Sequence, residues 1–298
     1  MTWKPPLAAR VAMAVCVLVL AACGTTPPAT TPGQPLPPPT ARPQPVPIPD
    51  RSLPPVVQPA LTQRQRIVDI ARQEWRRWGS QTVDVTLDGR SCVRDSAVPP
   101  PPAYLAARAA AAAGDSALAA EVAPCLRFAD GSGMEATPEG CALALRYWHV
   151  LGREPTCVDI TQLRWAWSAA FISWVMREAG LNDDQFLTGE AHSMYVADAR
   201  DGILATPAYT VDSAPAMPAP GDMVCTTRDA AVDVTAVEDI RFGRTPMHCD
   251  IVVEVDAPAR RVKAIGGNVQ QSVSMSLIEY DAAAGYWPWL LVMRNQLP

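Results

Sequence analysis

Three polar residues stand where chemistry is possible. Ser168 heads a helical stripe of Phe171, Ile172, Val175 and Met176. The first turn of a helix has unpaired backbone N–H groups and the positive end of the helix dipole. That setting favours an anionic oxygen and can hold a developing oxyanion. His248 opens an apolar strand, from which an imidazole can face such a helix. Asn268 follows Gly266 and Gly267 toward the next strand, where a polar side chain can orient the ring. Each has a plainer alternative: Ser168 as a helix N-cap, His248 as a hydrogen-bonded residue at a sheet edge, Asn268 as a turn residue. His192, within Ala191-His192-Ser193-Met194-Tyr195, either lines the same cleft or caps or packs in its loop. Trp165, Trp167 and Trp174 read as core and rim, with a rim tryptophan able to stack on a sugar. His149, His192 and His248 have no metal-ligand spacing, so no metal and no cofactor are assigned.

The elements that must position these residues read as helices first and strands second. Thr62 and Gln65 match a capping box, and Ile67, Ile70, Ala71 and Trp78 keep helical spacing, which predicts a helix over Thr62 to Trp78. Residues 80–160 read as a helical, cysteine-containing insertion, with Ala103 to Ala123 and Pro138 to Leu151 as its helices. A further helix runs from Ser168, its natural N-cap, to Ala179. Short β-rich runs follow at Asp222 to Thr227, Cys249 to Asp256, Arg261 to Ile265, Ser272 to Tyr280 and Trp289 to Met293. This order is that of an α+β domain, helices packed on an antiparallel sheet.

The amino terminus reads as an export signal. Lys4 and Arg10 precede a short apolar run, Val11 to Leu20, and Leu20-Ala21-Ala22-Cys23 is the box that a lipoprotein signal peptidase needs. Residues 1–22 are then a signal peptide, with Cys23 the lipidation site. Residues 23–59 form a tether so rich in proline and so poor in charge that it cannot bury a core. The folded domain is expected over 60–298. A net charge of -5 without basic blocks gives no footprint for nucleic acid. Cys92, Cys125, Cys141, Cys157, Cys225 and Cys249 remain in the domain, an even number suited to disulfides in an oxidising compartment. Cys225 and Cys249 fall on strands that would be neighbours and are expected to pair, a link of about 3 kcal/mol. The pairing of the other four stays open.

Four segments in order carry a resemblance: Trp167-Ser168-Ala169-Ala170-Phe171-Ile172-Ser173-Trp174-Val175, Gly221-Asp222-Met223-Val224, His248-Cys249-Asp250-Ile251-Val252-Val253 and Gly266-Gly267-Asn268. Together they resemble the papain-like cell-wall hydrolases of the NlpC and CHAP type, and more closely a bacterial family of unknown function thought to share that fold. The resemblance implies a papain-like domain with Ser168 as nucleophile, His248 as base and Asn268 as its orienting residue. Ala169 and Trp167 would stand at the oxyanion site and cleft, with His192 beside them. It also implies peptidoglycan stem peptides as substrate and an amide hydrolase as the activity. Those relatives carry cysteine where this chain has Ser168, and a serine must lose its proton as it attacks. A catalytically silent peptidoglycan-binding or scaffolding lipoprotein is therefore the alternative. Gly24 after the lipidated cysteine, by resemblance to Gram-negative lipoproteins, points to the periplasmic face of the outer membrane.

Overall fold

Thr62 and Gln65 close the expected capping box, and helix α1, Gln63–Arg77, turns Ile67 and Ala71 into the core. The structure, a computed structural model, describes residues 60–298 apart from 94, 96, 113–124, 129, 163 and 229–233. The segments expected to be a signal peptide, 1–22, a lipidated Cys23 and a tether, 23–59, lie outside the described residues.

Strands β1, Thr82–Thr86, and β2, Gly89–Val93, come next, followed by helices α2, Pro102–Ala111, α3, Pro138–His149, and α4, Cys157–Thr161. Then come α5, Ser168–Glu178, and α6, His192–Asp201. Strands β3, Tyr209–Ser213, β4, Met223–Thr227, β5, Met247–Asp256, β6, Arg261–Val269, β7, Ser272–Glu279, and β8, Leu291–Asn295, complete the chain. The eight strands make one sheet in the order β2-β1-β7-β6-β5-β4-β8-β3. Its pairs are antiparallel except that β1 runs parallel to β7. The domain is α+β.

Two expectations need correction. Residues 80–160 are not wholly helical: the β1–β2 hairpin extends the main sheet, and among the described residues α2, α3, α4 and a short 3-10 turn at Met134–Ala136 follow. The expected helix over Ala103 to Ala123 is described only to 112, its remainder lying outside the described residues. Val83 and Val85 alternate on β1, and the chain turns at Leu87-Asp88 into Gly89, a two-residue hairpin connection that sets Thr86 opposite Gly89. The stretch around His192 is not a loop but the start of α6, whose N-cap is Ala191 with no side-chain cap bond.

Helices α1 and α5 pack on β5 and β6. Alternation along β5 splits its residues between two faces. Cys249, Ile251 and Val253 join the helices in the main core, while Val252 joins Val224, Val262, Ala264, Ile278 and Trp289 in a second apolar cluster. His248 and Asp250 share the parity of Val252 and so turn toward that second face. Under α5, Trp167 stacks on Trp78 at 4.8 Å and its indole N–H donates to Glu135 Oε2 at 2.8 Å. Disulfides join Cys92 to Cys125, Cys141 to Cys157 and Cys225 to Cys249. The last is the expected pair, directly opposed on β4 and β5.

Candidate active site

Ser168 is not the cap of α5. Trp167 occupies the N-cap position and makes no side-chain cap bond, so Ser168 is the first helical residue. Its hydroxyl is thereby free of the backbone, and the N–H groups of Ser168, Ala169 and Ala170 have no acceptor among the described residues.

Helix α6 brings the partner. His192 is likewise the first residue of its helix, and its Nε2 lies 2.8 Å from Ser168 Oγ. Its Nδ1 meets the hydroxyl of Tyr195, one helical turn on, where spacing of three residues keeps side chains on one face. His192 is 3 % exposed, and burial, reinforced by the charges of His248 and Arg228, holds its pKa well below the ordinary imidazole range. It is neutral at pH 7. Burial also pushes the Tyr195 phenol well above its usual range, so the hydroxyl keeps its proton.

Arg228, just past the end of β4, reaches into the same place. Its Nη2 donates to Ser168 Oγ at 3.0 Å and to His248 Nδ1 at 2.9 Å. A guanidinium is only a donor, so His248 Nδ1 accepts and the ring proton sits on Nε2. That nitrogen lies 2.7 Å from Asp250 Oδ1, a close polar contact whose angle is too bent for a directed hydrogen bond. Asp250 Oδ2 accepts from Ser276 Oγ at 3.4 Å.

The two glycines before Asn268 make this crowding possible. A Cβ on Gly266 would stand 1.7 Å from Asp250 Oδ1 and 3.0 Å from His248 Nε2. On Gly267 it would stand 2.5 Å from Phe171 Cβ. One glycine admits the His–Asp pair on one side of β6 and the other admits α5 on the opposite side.

Several expected placements change. No hydrogen bond joins Ser168 to His248; Arg228 lies between them, and the imidazole on Ser168 is His192. Asn268 does not hold the His248 ring, whose two nitrogens meet Arg228 and Asp250. It lies in the interrupted register between β6 and β7 with φ of 56°, a left-handed conformation that asparagine tolerates, and lines the cleft instead. Trp167, expected at the cleft, is core at 0 % exposure. Ala169 is equally buried, and only its backbone N–H can serve an oxyanion. Tyr195, Arg228 and Asp250 were not foreseen. The alternation in His248-Cys249-Asp250, which puts two ionisable side chains on one strand face, is a signal for the last.

Beside Arg228 opens a cleft of about 320 Å³, lined among others by Arg90, Thr226, His248, Asn268 and Gln270. Ser168, 3 % exposed, is not among its lining residues.

Residues 133–286, just over half of the chain, match a family described as uncharacterized proteins conserved in bacteria (DUF2272). The match takes in α5, α6, β4, β5 and β6, and with them every side chain of the site. No curated protein matches the chain, and no solved structure does.

Proposed function

The chain belongs to the DUF2272 family, and from that premise we propose that it is an amide hydrolase with a papain-like site, acting on peptidoglycan stem peptides. One observation carries the chemistry: Ser168 Oγ, free of capping, lies 2.8 Å from a histidine nitrogen kept neutral by burial. In this reading Ser168 attacks the carbonyl carbon while its proton passes to His192 Nε2. That needs the His192 tautomer with its proton on Nδ1, facing the Tyr195 hydroxyl. The unpaired N–H groups at the head of α5 receive the oxyanion. His192 then returns the proton to the leaving amine, and water repeats the sequence on the acyl-serine. The substrate class, the outer-membrane anchorage through Cys23 and the periplasmic location rest on the sequence resemblance.

Muropeptides incubated with the purified protein, with released amines followed by mass spectrometry, test this. Ser168→Ala is expected to remove turnover by about 10³-fold or more. His192→Gln is expected to remove about 10²- to 10⁴-fold. A parent as inactive as Ser168→Ala rejects the proposal.

A second reading has its own observation. Arg228 Nη2 occupies Ser168 and His248 together, as a lock on a retired site would. A silent wall-binding module would bind sacculi without cutting them, or gain activity only as Ser168→Cys.

A further inference from the structure

The cleft beside Arg228 has an unbalanced wall. Two guanidiniums line it, Arg90 from β2 and Arg228 from the end of β4, with Thr226, Asn268 and Gln270 between the strands. No Asp or Glu is among its lining residues; the carboxylate of Asp250 lines a smaller cavity that shares Arg90, Thr226 and His248 with it. Arg90 makes no side-chain hydrogen bond or ion pair among the described residues, although the sheet holds its backbone opposite Val85. Burial is the main cause that lowers the Arg228 pKa, Asp250 and Tyr195 oppose it, and the nearby charge of Arg90 adds a smaller push downward. The carboxylate that acts the other way, Asp250, is in contact with His248 Nε2 at 2.7 Å. Like charges facing one cavity are stabilised by an anion that enters between them.

We infer that this cleft holds a carboxylate of the substrate, gripped between Arg90 and Arg228, with the amides of Asn268 and Gln270 beside it. The planar guanidinium fork matches a carboxylate through two parallel hydrogen bonds. The inference rests on the amide-hydrolase reading for what the carboxylate belongs to: a peptide whose scissile amide lies within one or two residues of a free acid group. Because Arg228 also touches Ser168 Oγ, a carboxylate drawing that guanidinium outward would uncover the hydroxyl as it docks.

Binding can be measured apart from turnover. The full chain carrying Ser168→Ala is titrated calorimetrically with N-acetyl-alanyl-glutamate and, separately, with the same dipeptide as its bis-carboxamide. The acid is expected to bind about tenfold or more tighter, since a hydrogen bond to a charged group is worth about 1.5–3 kcal/mol. Arg90→Gln, at an exposed position, is expected to bring the two peptides to equal affinity. Equal binding of acid and amide by the parent site, absence of binding by both, or discrimination that survives Arg90→Gln overturns the inference. Inorganic phosphate that binds tighter than the acid peptide also overturns it, in favour of a phosphate site. A protein that discriminates the acid but never cleaves muropeptides sinks the hydrolase reading and leaves the carboxylate subsite standing.

Discussion

Two clusters of buried polar groups, one around Asp222 and one around Ser168, treat their hydrogen-bonding capacity in opposite ways. Asp222 is 1 % exposed and its oxygens are saturated. Oδ1 accepts from Arg64 Nη2 at 2.9 Å and Asn295 N at 3.0 Å, and Oδ2 accepts from Ala219 N at 2.8 Å and Arg294 Nη1 at 3.0 Å. The carboxylate thereby ties α1, the head of β4 and β8 to one point. Around Ser168 the count does not close. Ser168, His192 and Tyr195 bring three hydrogens to two links, so either His192 tautomer leaves one hydroxyl proton without an acceptor among the described residues. The His248–Asp250 contact is near but bent. A saturated network rigidifies, whereas an unsatisfied one stores capacity for a ligand or a proton transfer. Asp222 and Ser168 both lie within the residues that match the family, yet only the cluster around Ser168 has the makings of chemistry.

The widest gap between them is expected in stability. Asp222→Ala strands two partly buried guanidiniums and two backbone N–H groups, and should cost about 3–5 kcal/mol in denaturant unfolding. Ser168→Ala should cost less, about 1–3 kcal/mol, because it takes one partner each from His192 Nε2 and Arg228 Nη2 and strands no carboxylate–guanidinium pair. Equal losses from the two substitutions would erase the distinction between a structural and a chemical cluster.

The glycine pair sharpens the comparison at the level of one strand. Gly266→Ala and Gly267→Ala each force a Cβ into occupied space, and each should destabilise by about 1–3 kcal/mol. Only Gly266→Ala presses on Asp250 and His248. It should shift the His248 imidazole resonances in NMR spectra, whereas Gly267→Ala, which meets Phe171, should leave them in place. A His248 signal that moves equally in both variants would mean that β6 yields as a whole.

How much of this was legible in the sequence follows from how local each signal is. The α1 capping box, the α5 stripe and five of the strands are stated by contiguous residues, and so is the opposition of Cys225 and Cys249. The β1–β2 hairpin had its Asp88-Gly89 signal but lies in a stretch dominated by proline, alanine and cysteine. The N-cap of helix α6 is Ala191, which has no capping side chain, so nothing local marks His192 as the first helical residue. The site itself is non-local. Ser168 could be found because a helix head advertises itself, but its imidazole comes from a second helix and its cation from beyond a strand end. Only the packing of α5, α6 and β4 brings these together. Gly266 and Gly267 looked like a turn and are instead clearances on two faces of β6, which no single strand can reveal.

The finest test of the unsaturated cluster is its response to acid. His192 has a folded-state pKa well below the ordinary value of 6.5, with burial as the first cause. The unfolded chain therefore takes up a proton near pH 6.5 that the folded chain refuses. Stability contributed by neutral His192 is fully present above that pH and declines as pH falls, by at most about 1.4 kcal/mol per pH unit until the folded pKa is reached. Glu135 and Asp198, whose carboxyls burial raises, act in the opposite direction, so the parent profile alone is a mixture. The difference between parent and His192→Gln isolates the imidazole. Melting curves at pH 7.5 and 5.5 should show the parent losing more stability than the variant between the two. Parallel losses would mean that His192 takes its proton in the folded state as readily as in water, and a charged ring there could not accept the proton of Ser168.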